Sequence, residues 1–415
     1  MRSVLAAVAV LCSMSALASA GDNWPQFRGP TGQGHTDSTG LPLEWSETKN
    51  VVWKTPIHDR GWSSPVVWGE QVWVTTATPD GKKMYALCVD KATGKIVHDL
   101  LLFETPVPDK INAFNSYASP TPAIEQGRVY VHFGKFGTAC LDTATAKVLW
   151  QRRDLPCDHF AGPGSSPILL GRMLVLTMDG MDVQYLVALD KQTGNEIWKT
   201  HRSTDFGKLD GDLRKAFSTP LLVERGGRRQ LVICGAQAGN GFDVDTGKEL
   251  WAVRYPGGFS NASMAVQAGD LALINTGFGK AKLWAVALDS RGDVTQQVKW
   301  KVDQDVPLRS SPIVIGPNVY MVGDTGVLSC LDASTGSRHF RQRMSGGNFS
   351  ASPISDGTRI WLFDEKGTSR VIEAAQEYKE LSVNKLDDGC MGSPAVSGKA
   401  LFVRTKTALY RVEKK

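Results

Sequence analysis

Leu189 to Thr200 reads LDKQTGNEIWKT: an Asp, then Thr-Gly, then a Trp. Close variants stand at 88–99 (CVDKATGKIVHD), 140–151 (CLDTATAKVLWQ), 242–253 (FDVDTGKELWAV) and 330–341 (CLDASTGSRHFR). A block that returns at intervals of some 40–50 residues marks a repeat architecture, because each unit needs its neighbour to bury a common core. Asp and Thr side chains bond nearby backbone groups and Gly accepts φ > 0, so the block reads as a tight turn between two strands. The Trp closing it is large enough to fill the gap between the splayed outer strands of neighbouring sheets.

A second marker keeps step with the first. Ser64-Pro65, Thr121-Pro122, Ser166-Pro167, Thr219-Pro220, Ser311-Pro312, Ser352-Pro353 and Ser393-Pro394 each open a short apolar run, and Ser263-Met264 fills the remaining gap without the proline. Steps between these eight anchors run from 41 to 57 residues, as four-stranded blades require. Each unit repeats the same interior of short runs rich in β-branched and aromatic residues, bounded by turn residues. Only Glu373 to Glu380 offers a weak helical pattern. The expectation is an all-β, eight-bladed propeller of four-stranded antiparallel blades in one domain, residues 51–415.

The pattern also predicts how the ring closes. Blade 8 runs out after ALYRV (408–412), one strand short, while VVWKTPI (51–57) reads as a fourth strand standing alone. Joining the two ties the chain ends together and leaves few open edges. Departures from the turn block are Ala146 for Gly in blade 2, and His98 and Phe340 for Trp in blades 1 and 6; blades 5, 7 and 8 lack the Thr-Gly.

Residues 1–20 read as a signal peptide: Arg2, an apolar run from Val4 to Leu11, and the small-residue site Ala18-Ser19-Ala20. Residues 21–50 form an N-terminal extension. Bulky Leu11 before Cys12 argues against a lipid anchor there, and no other run approaches the roughly 18 apolar residues of a membrane helix. The expected location is periplasmic or secreted. The formal charge of +5 is small and scattered, and Arg225-Gly-Gly-Arg228-Arg229 reads as a hairpin tip, so no nucleic acid is expected. Cys88, Cys140 and Cys330 fall where Ala188 stands in another repeat, the mark of a small buried hydrophobe.

The D-x-x-T-G-x-x-x-W block resembles the docking motif of eight-bladed quinoprotein-type propellers, which include PQQ-dependent alcohol dehydrogenases and BamB-like outer-membrane assembly lipoproteins. NWPQFRGP, LPLEWSE, NSYASPTP and RKAFSTP are similar to exported PQQ-like propellers. The resemblance implies three functions: a non-catalytic binding or scaffold protein, taken as the leading one; a PQQ-dependent oxidoreductase; and a BamB-like assembly factor. The oxidoreductase would need PQQ, a Ca²⁺ held by carboxylate and amide oxygens, and usually adjacent cysteines, and the chain has no Cys-Cys. No cofactor is therefore assigned. G-x-S-x-G, P-loop and H-E-x-x-H patterns are likewise absent. Asp179 and Asp182 share one turn and are weak candidates for a cation, as well as ordinary turn formers.

In a propeller the loops leading into the innermost strands open onto one face. Here those loops supply Arg60, Trp62, Asn112, Asn115, His159, Lys215, Phe217, Arg309 and Asn348 as candidate ligand-binding residues. Trp62, Phe217 and Arg309 each stand three residues before an anchor proline, so they are expected at equal depth in one funnel. Aromatic faces beside Arg, Lys and Asn suit a polar or anionic small molecule, a sugar, a peptide, or a periplasmic protein partner.

Overall fold

The computed structural model describes residues 22–414; the signal-peptide reading lies outside them. The eight anchors lead into eight sheets of antiparallel four-stranded blades, with the strands in chain order from the axis outward in all but blade 8, whose outermost strand comes from the start of the chain. Blade 1 is typical: Val66–Trp68, Gln71–Ala77, Lys83–Asp90 and Ile96–Glu104. Blade 4 gains a fifth strand, Gly292–Asp293, which reaches back from blade 5 and runs parallel to Glu249–Arg254. Glu373 to Glu380 is not helical. It is the loop joining strands Thr368–Glu373 and Glu380–Lys385, closed by Glu373 N–H on the Lys379 carbonyl. Tyr378 is drawn inward there to pack on Phe340 of blade 6. Among the described residues no helix is long and apolar enough to cross a membrane.

Closure occurs as the missing strand requires. Val51–Pro56 pairs antiparallel with Ala408–Glu413, Trp53 opposite Arg411 and Pro56 opposite Ala408, and completes blade 8. The seam therefore has the same backbone bonding as the interior of any blade.

The recurring turn works across blades as well as within them. Asp190 Oδ1 accepts the Thr193 N–H and hydroxyl, and Gly194, at φ 74°, closes the turn onto the Asp190 carbonyl. In the same turn of blade 6, Ser334 and Thr335 hold Asp332 so firmly that its pKa falls to about 2. Four Trp residues then dock on the turn of the next blade. The indole N–H of Trp53 donates to the Lys91 carbonyl, Trp150 to Lys191, Trp198 to Val244 and Trp300 to Ala333, at 3.0–3.2 Å. Beneath the rings lie Gly94, Gly194, Gly247 and Gly336, where an added Cβ would come within 2.6–2.8 Å of the indole. The two departures in blades 1 and 2 are thus one event. His98 replaces the Trp that would cover blade 2, and Ala146, at φ 60°, occupies the space a Trp would need. Trp251 faces a blade without Thr-Gly, so it turns back onto Gly241 and bonds Gln230 at 2.8 Å.

Residues 22–36 of the extension lie across the axis, and residues 42–47 pack on the outer strands of blades 7 and 8. Trp24 exchanges backbone bonds with Val67, Pro25 accepts from Ile124, and Gln26 accepts from Leu169. Gln33 takes the Gln267 N–H, Arg28 donates to the Pro312 carbonyl, Gly34 and Thr36 bracket Ser355, and the Asp22 carbonyl accepts from Ser397. Phe27 packs against the cluster holding Leu221 of blade 4. Every blade is touched, on its innermost strand just beyond the anchor. The central channel is closed on that side by this plug.

Candidate functional site

The anchors form a ring. Ser64 N–H donates to Thr121 Oγ1, Thr121 to Ser166, Ser166 to Thr219, Ser311 to Ser352, Ser352 to Ser393, and Ser393 back to Ser64, all at 2.9–3.0 Å. Proline follows each donor because that position needs no N–H of its own. Blade 5 departs from the expected register. Its inner strand starts at Val266, so Met264, not Ser263, stands at the anchor position, and Ala265 at the proline. Met264 N–H donates to Ser311, but Met264 has no hydroxyl to offer Thr219. The slip arises because sequence alone matched Ser to Ser, whereas strand register fixes the position.

Above this ring opens a funnel of about 770 Å³, lined by six anchor hydroxyls, by Phe27 of the plug, and by loops of at least six blades. Trp62, Asn112, Asn115, Lys215, Phe217 and Arg309 all line it. Trp62 donates its indole N–H to the Phe114 carbonyl at 3.0 Å and carries Arg60 on its face at 4.9 Å. Arg60 belongs to a smaller neighbouring cleft of about 320 Å³ with Lys110 and Tyr117. Asn115 ties blade 2 to blade 3 by donating to the Ala161 and Pro163 carbonyls. Asn348 is exposed and outside the funnel lining, with its carbonyl taken by Glu365 N–H.

His159 is buried beneath the funnel, its Nδ1 3.6 Å from Cys157 Sγ and its Nε2 against Gly134. Burial pushes its pKa down to about 4. The next residue, Phe160, adopts φ 52° and turns outward in its place. Phe160, Phe114 and Phe278 are 54, 42 and 38% exposed and, with Phe259, complete an aromatic wall that polar candidates alone did not reveal.

The charges in this wall are already paired. Lys215 is buried, bonds the Asp212 carboxylate, and lies between Phe160 and Phe259 at 5.4 and 5.7 Å. Arg309 bonds Asp324 at 2.6 Å and Glu365 at 3.1 Å, and covers Phe114 at 4.4 Å. Asp179 and Asp182 have separate duties. Asp179 is buried against Arg202 at 2.9 Å, while Asp182 caps the Asp158 and Val183 N–H groups.

Among the described residues no group of three or more His, Cys, Asp or Glu stands close enough to hold a metal ion. The six described cysteines are free and buried, four in blade strands and two, Cys157 and Cys390, in loops ahead of the anchors. With Asp212 and Asp324 committed to cations, the residues present do not fit a calcium–quinone pair.

Comparison with known proteins agrees with this architecture. A family model described as outer membrane protein assembly factor BamB matches residues 47–297 and 281–377. A curated protein of that name from Alkalilimnicola ehrlichii is 26% identical over 214 residues, 51% of this chain and 52% of the relative. Another from Legionella pneumophila is 23% identical over 199 residues, 47% and 50% of the two chains. The chain thus spans about half the length of these curated relatives. BamB from Moraxella catarrhalis superposes with a TM-score of 0.61 at 13% identity, over 88% of this chain and 97% of that one. Quinohemoprotein alcohol dehydrogenase from Comamonas testosteroni gives 0.66 at 12%, over 96% and 82%. At such identities these two likenesses speak for the fold alone.

Proposed function

Because the chain belongs to the family described as outer membrane protein assembly factor BamB, we propose that it is a non-catalytic docking scaffold of the cell envelope that receives a protein partner in its funnel. One observation carries this reading: the funnel is walled by aromatics, three of them strongly exposed, while its Lys and Arg are held by carboxylates. Exposed aromatics around a preformed cavity are the anchors that protein interfaces use. Acid–base or redox work needs a titratable group left free to react, and the funnel's charged groups are tied down. The periplasm is the compartment that suits both the family and the signal-peptide reading of residues 1–20, in which Arg2 precedes an apolar run.

The test is a photo-crosslinking residue in place of Phe160 at the funnel mouth, compared with one in place of Lys399 on the opposite face. A discrete protein adduct from position 160 and none from position 399 supports docking. No adduct at 160, or dye reduction by the chain supplied with PQQ and Ca²⁺, overturns it.

A further inference from the structure

Every hydroxyl of the anchor ring accepts a hydrogen bond, and none donates one. Ser64, Thr121, Ser166, Thr219, Ser311, Ser352 and Ser393 each take the N–H of the preceding blade. Among the described residues none gives its proton to a protein oxygen. A hydroxyl whose oxygen is engaged this way has its O–H left to offer. Six of the seven line the bottom of the funnel, so that floor presents a circle of donors around Phe27.

Positive charge lies directly behind the circle. Of the four buried arginines among the described residues, Arg202 and Arg370 are paired with carboxylates, and Arg28 and Arg404 are not. Arg28 is 1% exposed; it donates to the carbonyl of Pro312, next to the ring residue Ser311, and its Nε and Nη1 have no partner. Arg404 is 3% exposed; it donates to Ser63, next to the ring residue Ser64, and its Nε has no partner. Burying a cation without its counter-charge is costly, and burial alone lowers both guanidinium pKa values to about 9. An anion on the ring would offset that cost.

We propose that the anchor ring is a seat for the C-terminal carboxylate of a partner chain whose last residue is apolar or aromatic. The inference rests on the docking reading above and names the part of the partner that enters. The plug makes the funnel blind, so a polypeptide reaching the floor must end or turn there. A chain end that is an amine would face the uncompensated charge of Arg28 and Arg404 behind the ring. A carboxylate meets O–H donors it can accept from, with the charge of Arg28 and Arg404 behind them. Above the floor, Phe114, Phe160, Phe217 and Phe259 supply faces for the terminal side chain.

The experiment titrates the full chain with the peptide Ala-Gly-Ala-Gly-Phe bearing a free carboxylate, and with the same peptide amidated. The free acid is expected to bind, the amide about tenfold or more weaker, and Trp62→Ala or Phe160→Ala to weaken the acid form. Thr121→Val, which removes one donor at nearly constant volume, should narrow the gap between acid and amide. Should that variant unfold, the acid–amide comparison on the unaltered chain decides alone. Equal binding of acid and amide, binding indifferent to Trp62 and Phe160, or no binding of either peptide overturns the carboxylate seat. If the peptides fail while position 160 still crosslinks a partner, only the seat falls. If position 160 crosslinks nothing, the docking reading falls with it.

Discussion

The indole of Trp150 lies on Gly194 of the next blade, so close that a Cβ at 194 would stand 2.8 Å from the ring. The same contact joins Trp53 to Gly94, Trp198 to Gly247 and Trp300 to Gly336. The turn glycine is needed twice over, for its positive φ of 74° and for the missing side chain. Gly194→Ala is therefore expected to destabilise the fold by about 2–4 kcal/mol, combining left-handed strain with overpacking. In a Trp150→His background, which copies the natural His98–Ala146 interface, the same change should cost markedly less. Denaturant unfolding of the double-mutant cycle measures the coupling. Equal costs in both backgrounds would show that Trp and Gly do not act as a pair.

The N-terminal region does two separable jobs. Residues 22–36 plug the channel, with residues 42–47 packed on the outer strands of blades 7 and 8, and Val51–Pro56 closes the ring. A chain starting at Asn50 should melt somewhat lower and expose the channel from its far side. A chain starting at His58 should melt many degrees lower still, because it leaves the edge of Ala408–Glu413 unpaired. Identical melting of the two shortened chains would rule out closure by this strand.

The blades were legible because their signal is redundant: strand alternation runs through eight blades, the anchor through seven and the turn block through five, so a lost element such as the Met264 anchor is bridged by its neighbours. The closing strand was legible as a shortage at one end and a surplus at the other. The plug was not, since NWPQFRGP has no periodicity and its partners, such as Val67 and Pro312, are remote in sequence. The funnel was half legible. Position relative to the anchor placed Trp62, Phe217 and Arg309 in its lining, but sequence cannot say which of two neighbours turns inward, and at 159–160 His went under and Phe out. Nor could it show that Lys215 and Arg309 each meet a carboxylate. Arg309→Ala would thus strand Asp324 and Glu365 as well as remove a cation.

Cys88, Cys140 and Cys330 sit opposite Trp73, Tyr130 and Tyr320 on the adjoining strand, fully buried. Burial pushes their pKa values up to about 12, 12 and 11. Thiolates are the reactive form, so these thiols should ignore a maleimide in the native protein and react in denaturant without reductant. Failure to label after denaturation would mean that they are bridged.

His132 and His159 give the fold a built-in acid limit. Both are buried, and burial lowers their pKa values to about 3 and about 4 from an ordinary 6.5, with the charge of His159 adding to the effect on His132 and that of Lys135 to the effect on His159. His132 keeps one bond, Nδ1 to Thr138 Oγ1 at 2.8 Å, and His159 Nε2 has none. Below pH 6.5 the unfolded chain takes up protons that the folded one refuses. Stability is therefore fully present above that pH and falls as the pH drops toward 4, by on the order of 3 kcal/mol for each imidazole. His159→Gln removes one such proton, so its melting temperature should decline less steeply between pH 6.5 and 4 than that of the unaltered chain. Thermal melts across that window, at constant ionic strength, give both slopes. Parallel slopes would mean that His159 titrates as freely in the folded protein as in water.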